Sequence, residues 1–77
     1  MTVDLTKMKP GQRAIIKELG EGHAFRQKIN NMGIREGKRI KKIASHFWRG
    51  PQTIEIDNMK FAIGYRMSKR IIVEVEE

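Results

Sequence analysis

The chain has 77 residues, with 16 lysines and arginines against nine aspartates and glutamates, a net charge of +7 at pH 7 and no cysteine. A domain of this size buries only about 60% of the surface that its unfolded chain exposes, so we expect one small domain over residues 1–77. The missing cysteine excludes disulfides, thiolate zinc sites and a cysteine nucleophile. Packing and backbone hydrogen bonds, or contacts with a partner, must therefore hold the domain together.

The N-terminal segment carries an early acid, Asp4, and no apolar run, which indicates that it is not a signal peptide. The longest apolar run in the sequence is about three residues, far below the roughly 20 that a membrane-spanning helix needs. The sequence therefore predicts a soluble cytoplasmic protein without a membrane span.

Positive charge is concentrated between Lys7 and Arg49, where 12 basic residues accompany three acidic ones, a local surplus of +9. A basic body suggests an anionic partner, which includes nucleic acid, an acidic protein face and the inner leaflet of a membrane. Charge alone does not choose among these three.

One segment has helical periodicity. Phe25, Ile29 and Met32 fall at i, i+4 and i+7, which predicts an amphipathic helix over residues 24–32. Gly33 follows where a left-handed helix cap is needed.

The other segments are short, and glycines and prolines separate them, a pattern typical of several strands joined by turns. Asp57-Asn58 suits a hairpin turn. We predict a loop over residues 46–52, because Gly-Pro cannot continue a central strand. One helical turn is predicted over residues 67–70. Five short strands in under 80 residues predict a mostly-β, small closed barrel. The predicted strands are Arg13–Leu19, Lys38–Ala44, Thr53–Ile56, Lys60–Ile63 and Ile71–Val75.

The sequence lacks the usual catalytic motifs. Its only serines, Ser45 and Ser68, lie in no nucleophile elbow and beside no histidine that would act as a base. No Gly-x-x-x-x-Gly-Lys loop is present to cradle a phosphate. We therefore predict that the protein is not an enzyme.

Metal binding has little support in the sequence. The two histidines, His23 and His46, are separated by a predicted helix and strand and form no ligand-spaced pair. No cofactor or metal site is predicted, and His23 and His46 remain weak candidates. An iron-sensing regulator that binds ferrous ion directly stays open as a further hypothesis.

The basic segment Lys38-Arg39-Ile40-Lys41-Lys42, followed by Phe47-Trp48-Arg49, combines cations with aromatic rings that could stack on bases. Small barrels use such surfaces to bind single-stranded nucleic acid. The alternative, which we favour, is a solvated strand face that keeps the domain soluble. Trp48 is either an interface anchor or a lid that folds back over one end of the barrel.

The glycine and proline positions, taken together, resemble those of the FeoA-like domain family over essentially the whole chain. The segments that carry the resemblance are Met8-Lys9-Pro10-Gly11-Gln12-Arg13-Ala14, Gly20 with Gly22, Asn31-Met32-Gly33-Ile34, Arg35-Glu36-Gly37, Arg49-Gly50-Pro51-Gln52, Phe61-Ala62-Ile63 and Arg70-Ile71-Ile72-Val73. The resemblance implies an SH3-like barrel with one helix inserted after the first strand.

The resemblance also implies a function. Family members are small cytoplasmic accessory proteins of bacterial ferrous iron transport, and they are thought to bind the cytoplasmic region of the membrane transporter FeoB. We therefore expect a non-catalytic accessory protein that binds such a transporter, and a small basic barrel that binds single-stranded nucleic acid is the alternative. The expected partner-binding residues are Phe25, Ile29, Lys41, Lys42, Phe47, Trp48 and Arg49.

Two segments depart from the family pattern. The family's Gly-Asp-Pro loop appears here as Gly50-Pro51, without its acid. Where family members often carry acidic residues before the last strand, this chain has Arg66, Lys69 and Arg70. The resemblance therefore implies a partner surface of altered charge.

Overall fold

The computed structural model describes residues 1–46 and 48–76. Six strands form one antiparallel sheet, and a helix of nine residues lies outside it. The strands and helices in chain order are β1 (Thr2–Asp4), β2 (Arg13–Leu19), α1 (His23–Asn31), β3 (Arg39–Ser45), β4 (Gln52–Ile56), β5 (Met59–Ile63), α2 (Tyr65–Ser68) and β6 (Ile71–Val75). Along the sheet the strands follow the order β1-β6-β2-β3-β4-β5. The prediction of a mostly-β fold with one amphipathic helix is confirmed.

Strand β1 is an element that was not predicted from the sequence. It has three residues and pairs with β6, with Val3 opposite Val73. Three residues are too few to show an alternating pattern, and the partner strand lies at the other end of the sequence. Because β1 precedes β2, helix α1 follows the second strand rather than the first.

The sheet ends at β1 and β5, and no ladder joins these two strands within residues 1–46 and 48–76. The short helix α2 packs instead beside the 3-10 turn Leu5–Lys7, which follows β1. Among the described residues, no helix is long and apolar enough to cross a lipid bilayer.

The core is built from buried side chains of the sheet, of α1 and of the segment before β2. Alternate residues of β4 and of β6 point inward, as the period of two in a half-buried strand requires. The buried apolar side chains are Leu5, Met8, Ala14, Ile16, Phe25, Ile29, Ile34, Ile40, Ile54, Ile56, Ile63, Ile71, Val73 and Val75.

Helix α1 ends in a Schellman motif. The Gly33 amide donates to the carbonyl of Asn30 at 2.9 Å, and the Ile34 amide donates to the carbonyl of Ile29 at 3.2 Å. Gly33 has a φ of +81°, in the left-handed region. The side chains of Ile29 and Ile34 both belong to the buried core, in agreement with the apolar contact that often accompanies this motif.

Lys42 is a charged residue inside the core. Its side chain is 0% exposed, and its Nζ donates to the carbonyl oxygens of Leu5 at 2.8 Å and Met8 at 3.1 Å. Its backbone carbonyl accepts from the amide of Gly11 at 2.8 Å, and its amide donates to the carbonyl of Gln12 at 2.9 Å. Lys42 thus joins β3 to the segment before β2 through both its side chain and its backbone.

Burial lowers the pKa of Lys42 because the low-polarity interior disfavours the charged ammonium, while the nearby carboxylate of Asp4 opposes that shift. The two accepting carbonyls lie 2.8 and 3.1 Å from Nζ, so they provide hydrogen bonds but no counter-charge. A strand residue two positions after Ile40 faces the same side of the sheet as Ile40, which is why this lysine points inward.

We expect Lys42→Met to lower the free energy of unfolding by about 1–3 kcal/mol, because the buried Met8 carbonyl loses this donor. Urea denaturation of the two proteins measures the change. Lys41→Met is the matched control: Lys41 is half-buried on the opposite side of β3, so its replacement should cost less than about 0.5 kcal/mol.

The lowered pKa of Lys42 also predicts a dependence on pH. In the interval between the folded-state pKa and the ordinary lysine value of about 10.4, the unfolded chain binds more protons than the folded one, so stability rises with pH. The stability of the wild-type protein relative to Lys42→Met should therefore be greater near pH 10 than near pH 7. A difference that stays constant or shrinks over this range would contradict the burial of a charged Lys42.

We expect Gly33→Ala to lower the free energy of unfolding by about 1–2 kcal/mol, because the left-handed backbone is unfavourable for a residue with a Cβ. No atom lies within 4 Å of the added Cβ, so the loss would come from the backbone alone. The same replacement at Gly64, which has a negative φ and equally open space, should change the stability little.

Candidate partner-binding surface

The structure corrects the prediction that Phe25 and Ile29 contact a partner. Phe25 is 8% exposed and Ile29 is 0% exposed, because both lie on the face of α1 that packs against the core. The guanidinium of Arg70 lies 4.0 Å from the centre of the Phe25 ring and also donates to the carbonyl of Glu21. The stripe that predicted the helix is its buried stripe, so neither residue is offered to a partner.

The basic face predicted for β3 is largely neutralised. Arg39 forms an ion pair with Glu76, with 2.7 Å between the nitrogen and the carboxylate oxygen. The prediction that Lys42 contacts a partner is wrong, because its side chain lies in the core. Lys41 remains half-buried, with Glu55 as its opposite residue on β4. The surface that would have attracted a nucleic acid backbone therefore carries few unpaired cations.

Just before β3, Lys38 is also paired: its Nζ lies 2.8 Å from a carboxylate oxygen of Asp57. Asp57 lies in the turn between β4 and β5, so this ion pair joins that turn to the residue that precedes β3. Of the four cations in the segment 38–42, only Lys41 therefore keeps part of its side chain in solvent without a described ion pair.

Trp48 is the most exposed large apolar residue of the described chain, with 97% of its side chain accessible. It lies in the loop between β3 and β4, so the alternative in which it covers the barrel as a lid is wrong. Trp48 and Arg49 have φ values of +57° and +61°, two consecutive left-handed residues that are uncommon outside glycine. Phe47, also predicted to contact a partner, lies outside the described residues.

Hydrogen bonds at the base of this loop hold its two ends together. The Ser45 hydroxyl donates to the Gln52 side-chain oxygen at 2.9 Å, and the Gln52 side-chain nitrogen Nε2 donates to the carbonyl of Gly50 at 3.1 Å. The His46 amide donates to the carbonyl of Pro51 at 3.3 Å. Because Gln52 is itself buried, the loop projects Trp48 from an anchored base.

A basic cleft lies where this loop meets α2. A cleft of about 320 Å³ is lined by Arg49 from the loop, by Tyr65 and Arg66 from α2, and by Lys69, which directly follows α2. The Lys69 ammonium lies 5.9 Å from the centre of the Tyr65 ring. We call Trp48 together with these four lining residues the Trp48–α2 surface.

Helix α2 is held in place from inside. Ser68 is buried, and its hydroxyl donates to the carbonyl of Ile63 at 3.2 Å. This bond sets the turn between β5 and α2, and it leaves Arg66 and Lys69 exposed. In the sequence these cations are visible only as a departure from the family pattern, because nothing local in the sequence places them beside Arg49.

The two weak metal candidates are both exposed. His23 begins α1 and His46 follows β3. Within residues 1–46 and 48–76, no group of three or more histidine, aspartate or glutamate side chains is placed to hold a metal ion.

A family model described as the FeoA domain matches residues 3–75. The chain belongs to the FeoA domain family. A relative from Methanocaldococcus jannaschii, named Fe(2+) transport protein A, is 32% identical over 69 residues, which are 90% of this chain and 82% of the relative.

Solved structures agree with this assignment. The crystal structure of an iron uptake regulatory protein, FeoA, is similar with a TM-score of 0.92 and 36% identity, and the match covers 99% of this chain and 100% of that one. A manganese-dependent transcriptional repressor has a similar domain, with a TM-score of 0.90 and 16% identity over 97% of this chain and 41% of the repressor. At that identity the likeness shows the fold alone. FeoA-domain membership associates this chain with ferrous iron transport.

The exposure of Trp48 predicts a simple optical property. Because Trp48 is the only tryptophan of the sequence, the tryptophan emission of the folded protein comes from this one side chain. We expect acrylamide to quench this emission in the folded and the urea-unfolded protein to a similar extent. Strong protection in the folded state would contradict the exposed position of Trp48.

Proposed function

We propose that this FeoA-domain protein is a non-catalytic accessory of ferrous iron uptake that works in the cytoplasm by binding the cytoplasmic region of a FeoB-like transporter. The observation that carries the proposal is the family match over residues 3–75. The names of the relatives, an Fe(2+) transport protein A and an iron uptake regulatory protein, support a role in iron uptake.

The described serines support a role without catalysis. Ser68 is buried and donates to a backbone carbonyl, and Ser45 donates to the side chain of Gln52. A serine nucleophile needs a base beside its hydroxyl, and both hydroxyls here are engaged in structural hydrogen bonds.

The Trp48–α2 surface supports binding to another protein. Tryptophan and arginine are the residues most often found at the energetic centre of protein interfaces, and here Trp48 and Arg49 are adjacent and exposed. Surrounding cations would speed the encounter with an acidic partner face. By contrast, the pairing of Lys38 and Arg39 with acids reduces the support for nucleic acid binding.

We expect the wild-type protein to co-purify with the isolated cytoplasmic region of the FeoB-like transporter encoded in the same cell. Trp48→Ala should weaken this binding by about thirtyfold, the loss typical of a residue at the energetic centre of an interface. Calorimetric titration of the two purified proteins measures the affinity.

Met59→Ala provides the matched control for this experiment. Met59 is also a large exposed apolar residue, at 54% exposure, but it is the first residue of β5 and is not part of the Trp48–α2 surface. Its replacement should leave the affinity unchanged within about twofold. The proposal is wrong if the wild-type protein does not bind the transporter region and its deletion leaves ferrous iron uptake unimpaired.

A further inference from the structure

The cations of the Trp48–α2 surface come from two stretches of sequence that contain no aspartate or glutamate, residues 37–54 and residues 58–73. Arg49 belongs to the first stretch, and Arg66 and Lys69 belong to the second. The fold brings these three exposed side chains to one cleft. The ion pairs found among the described residues all involve other groups.

Two other clefts of the described chain differ in this respect. The cleft of about 400 Å³ along α1 is lined by Arg26 and Arg35 but also by Glu36. A cleft of about 200 Å³ over β3 and β4 has Glu55 and Asp57 among its cations. These clefts carry their own carboxylates, whereas the described lining of the Trp48–α2 cleft has positive charge alone.

The side chains of the Trp48–α2 cleft suit carboxylate groups. Each arginine presents a planar fork of N–H donors that matches a carboxylate with two parallel hydrogen bonds. Lys69 is the C-cap of α2 and keeps helical backbone angles, so it lies on the same side as Arg66, three residues earlier. Arg49 reaches the cleft from the loop. A concave site of about 320 Å³ has room for a few acidic side chains.

Trp48 directly precedes Arg49 in the chain, so an exposed apolar side chain is attached next to a residue that lines this cleft. Its side chain is exposed rather than set in a groove of this chain, so covering it needs a surface supplied by another molecule. Tryptophan covers a large apolar area and is a frequent anchor at protein interfaces. An occupant that combines carboxylates with an apolar residue therefore complements the whole surface.

We infer that the Trp48–α2 surface binds an acidic segment of a partner protein, with its carboxylates in the cleft and an apolar residue against Trp48. The identity of that partner as the FeoB-like transporter rests on the proposed function, whereas recognition of an acidic segment rests on this chain's own residues. A flat anionic membrane is the competing occupant, and the concave shape of the cleft favours the peptide.

The first test uses an oligoglutamate peptide that contains one leucine, labelled with fluorescein, and measures binding by fluorescence anisotropy. The unlabelled peptide should also change the emission of Trp48, the only tryptophan of the chain. The cleft variant combines Arg49→Gln, Arg66→Gln and Lys69→Gln, and we expect it to bind the peptide about tenfold more weakly than the wild-type protein.

A charge-matched control separates the cleft from the overall basic charge. The control variant combines Lys17→Gln, Lys28→Gln and Lys60→Gln, three exposed lysines outside the surface. It loses the same three charges as the cleft variant, and we expect it to keep the wild-type affinity within about threefold. Circular dichroism and urea unfolding confirm that both variants are folded. Equal losses in the two variants would overturn the proposal, because binding would then depend on net charge alone.

Two further measurements identify the occupant. Vesicles of phosphatidylglycerol and phosphatidylcholine should bind the cleft variant and the control variant equally. If vesicle binding is lost only in the cleft variant and the peptide does not bind, the surface would be assigned to a membrane and the proposal overturned.

The cleft variant should also bind the transporter region more weakly than the control variant does. If the cleft variant and the control variant bind the transporter region equally well, the acidic-segment proposal is wrong and the proposed function stands. If the peptide binds the cleft but the transporter region does not bind the protein, the proposed function fails and the cleft assignment stands.

Discussion

The hydrogen bonds from the Lys42 ammonium to the carbonyls of Leu5 and Met8 are the constraint on which the surrounding structure depends. A cation inside a domain of 77 residues is tolerable only if polar groups are brought to it. The segment before β2 supplies them, and this requires its 3-10 turn to lie across the inner side of β3. The same turn packs beside α2, so the lysine indirectly supports the helix that carries the basic cleft. Lys42, the 3-10 turn and α2 thus form a series of contacts that runs from the core to the surface proposed to bind a partner.

Much of the fold could be predicted from the sequence because its signals are local. The helical spacing of Phe25 and Ile29 predicted α1, and the left-handed cap at Gly33 ended it within one residue of the predicted position. The hairpin of β4 and β5 followed from Asp57-Asn58 between two β-branched or aromatic segments. Strand β1 could not be predicted in this way, because it exists only through its pairing with a strand some 70 residues away.

The candidate surface was less predictable, for two physical reasons. Apolar periodicity reveals a helix but does not by itself separate a buried stripe from a binding stripe, so Phe25 and Ile29 were placed at a partner although they complete the core. A strand pattern of period two, applied to Ile40 and Lys42, would have indicated that this lysine faces inward. The exposed position of Trp48 agrees with the loop predicted from Gly50-Pro51. The meeting of Arg49 with Arg66 and Lys69 depends on the tertiary fold, and no local pattern encodes it.

The position of β6 in the sheet has a consequence for how the protein is made. This strand is the last along the chain, yet it lies between β1 and β2 and pairs with both. During synthesis the first strands leave the ribosome without the neighbour that joins them, and β1 has no other partner in the described sheet. The loops that β6 closes span most of the sequence, and contacts between distant residues form slowly. Strands β2 to β5 pair with their neighbours in sequence, but β1 cannot join the sheet until residue 75 has been synthesised.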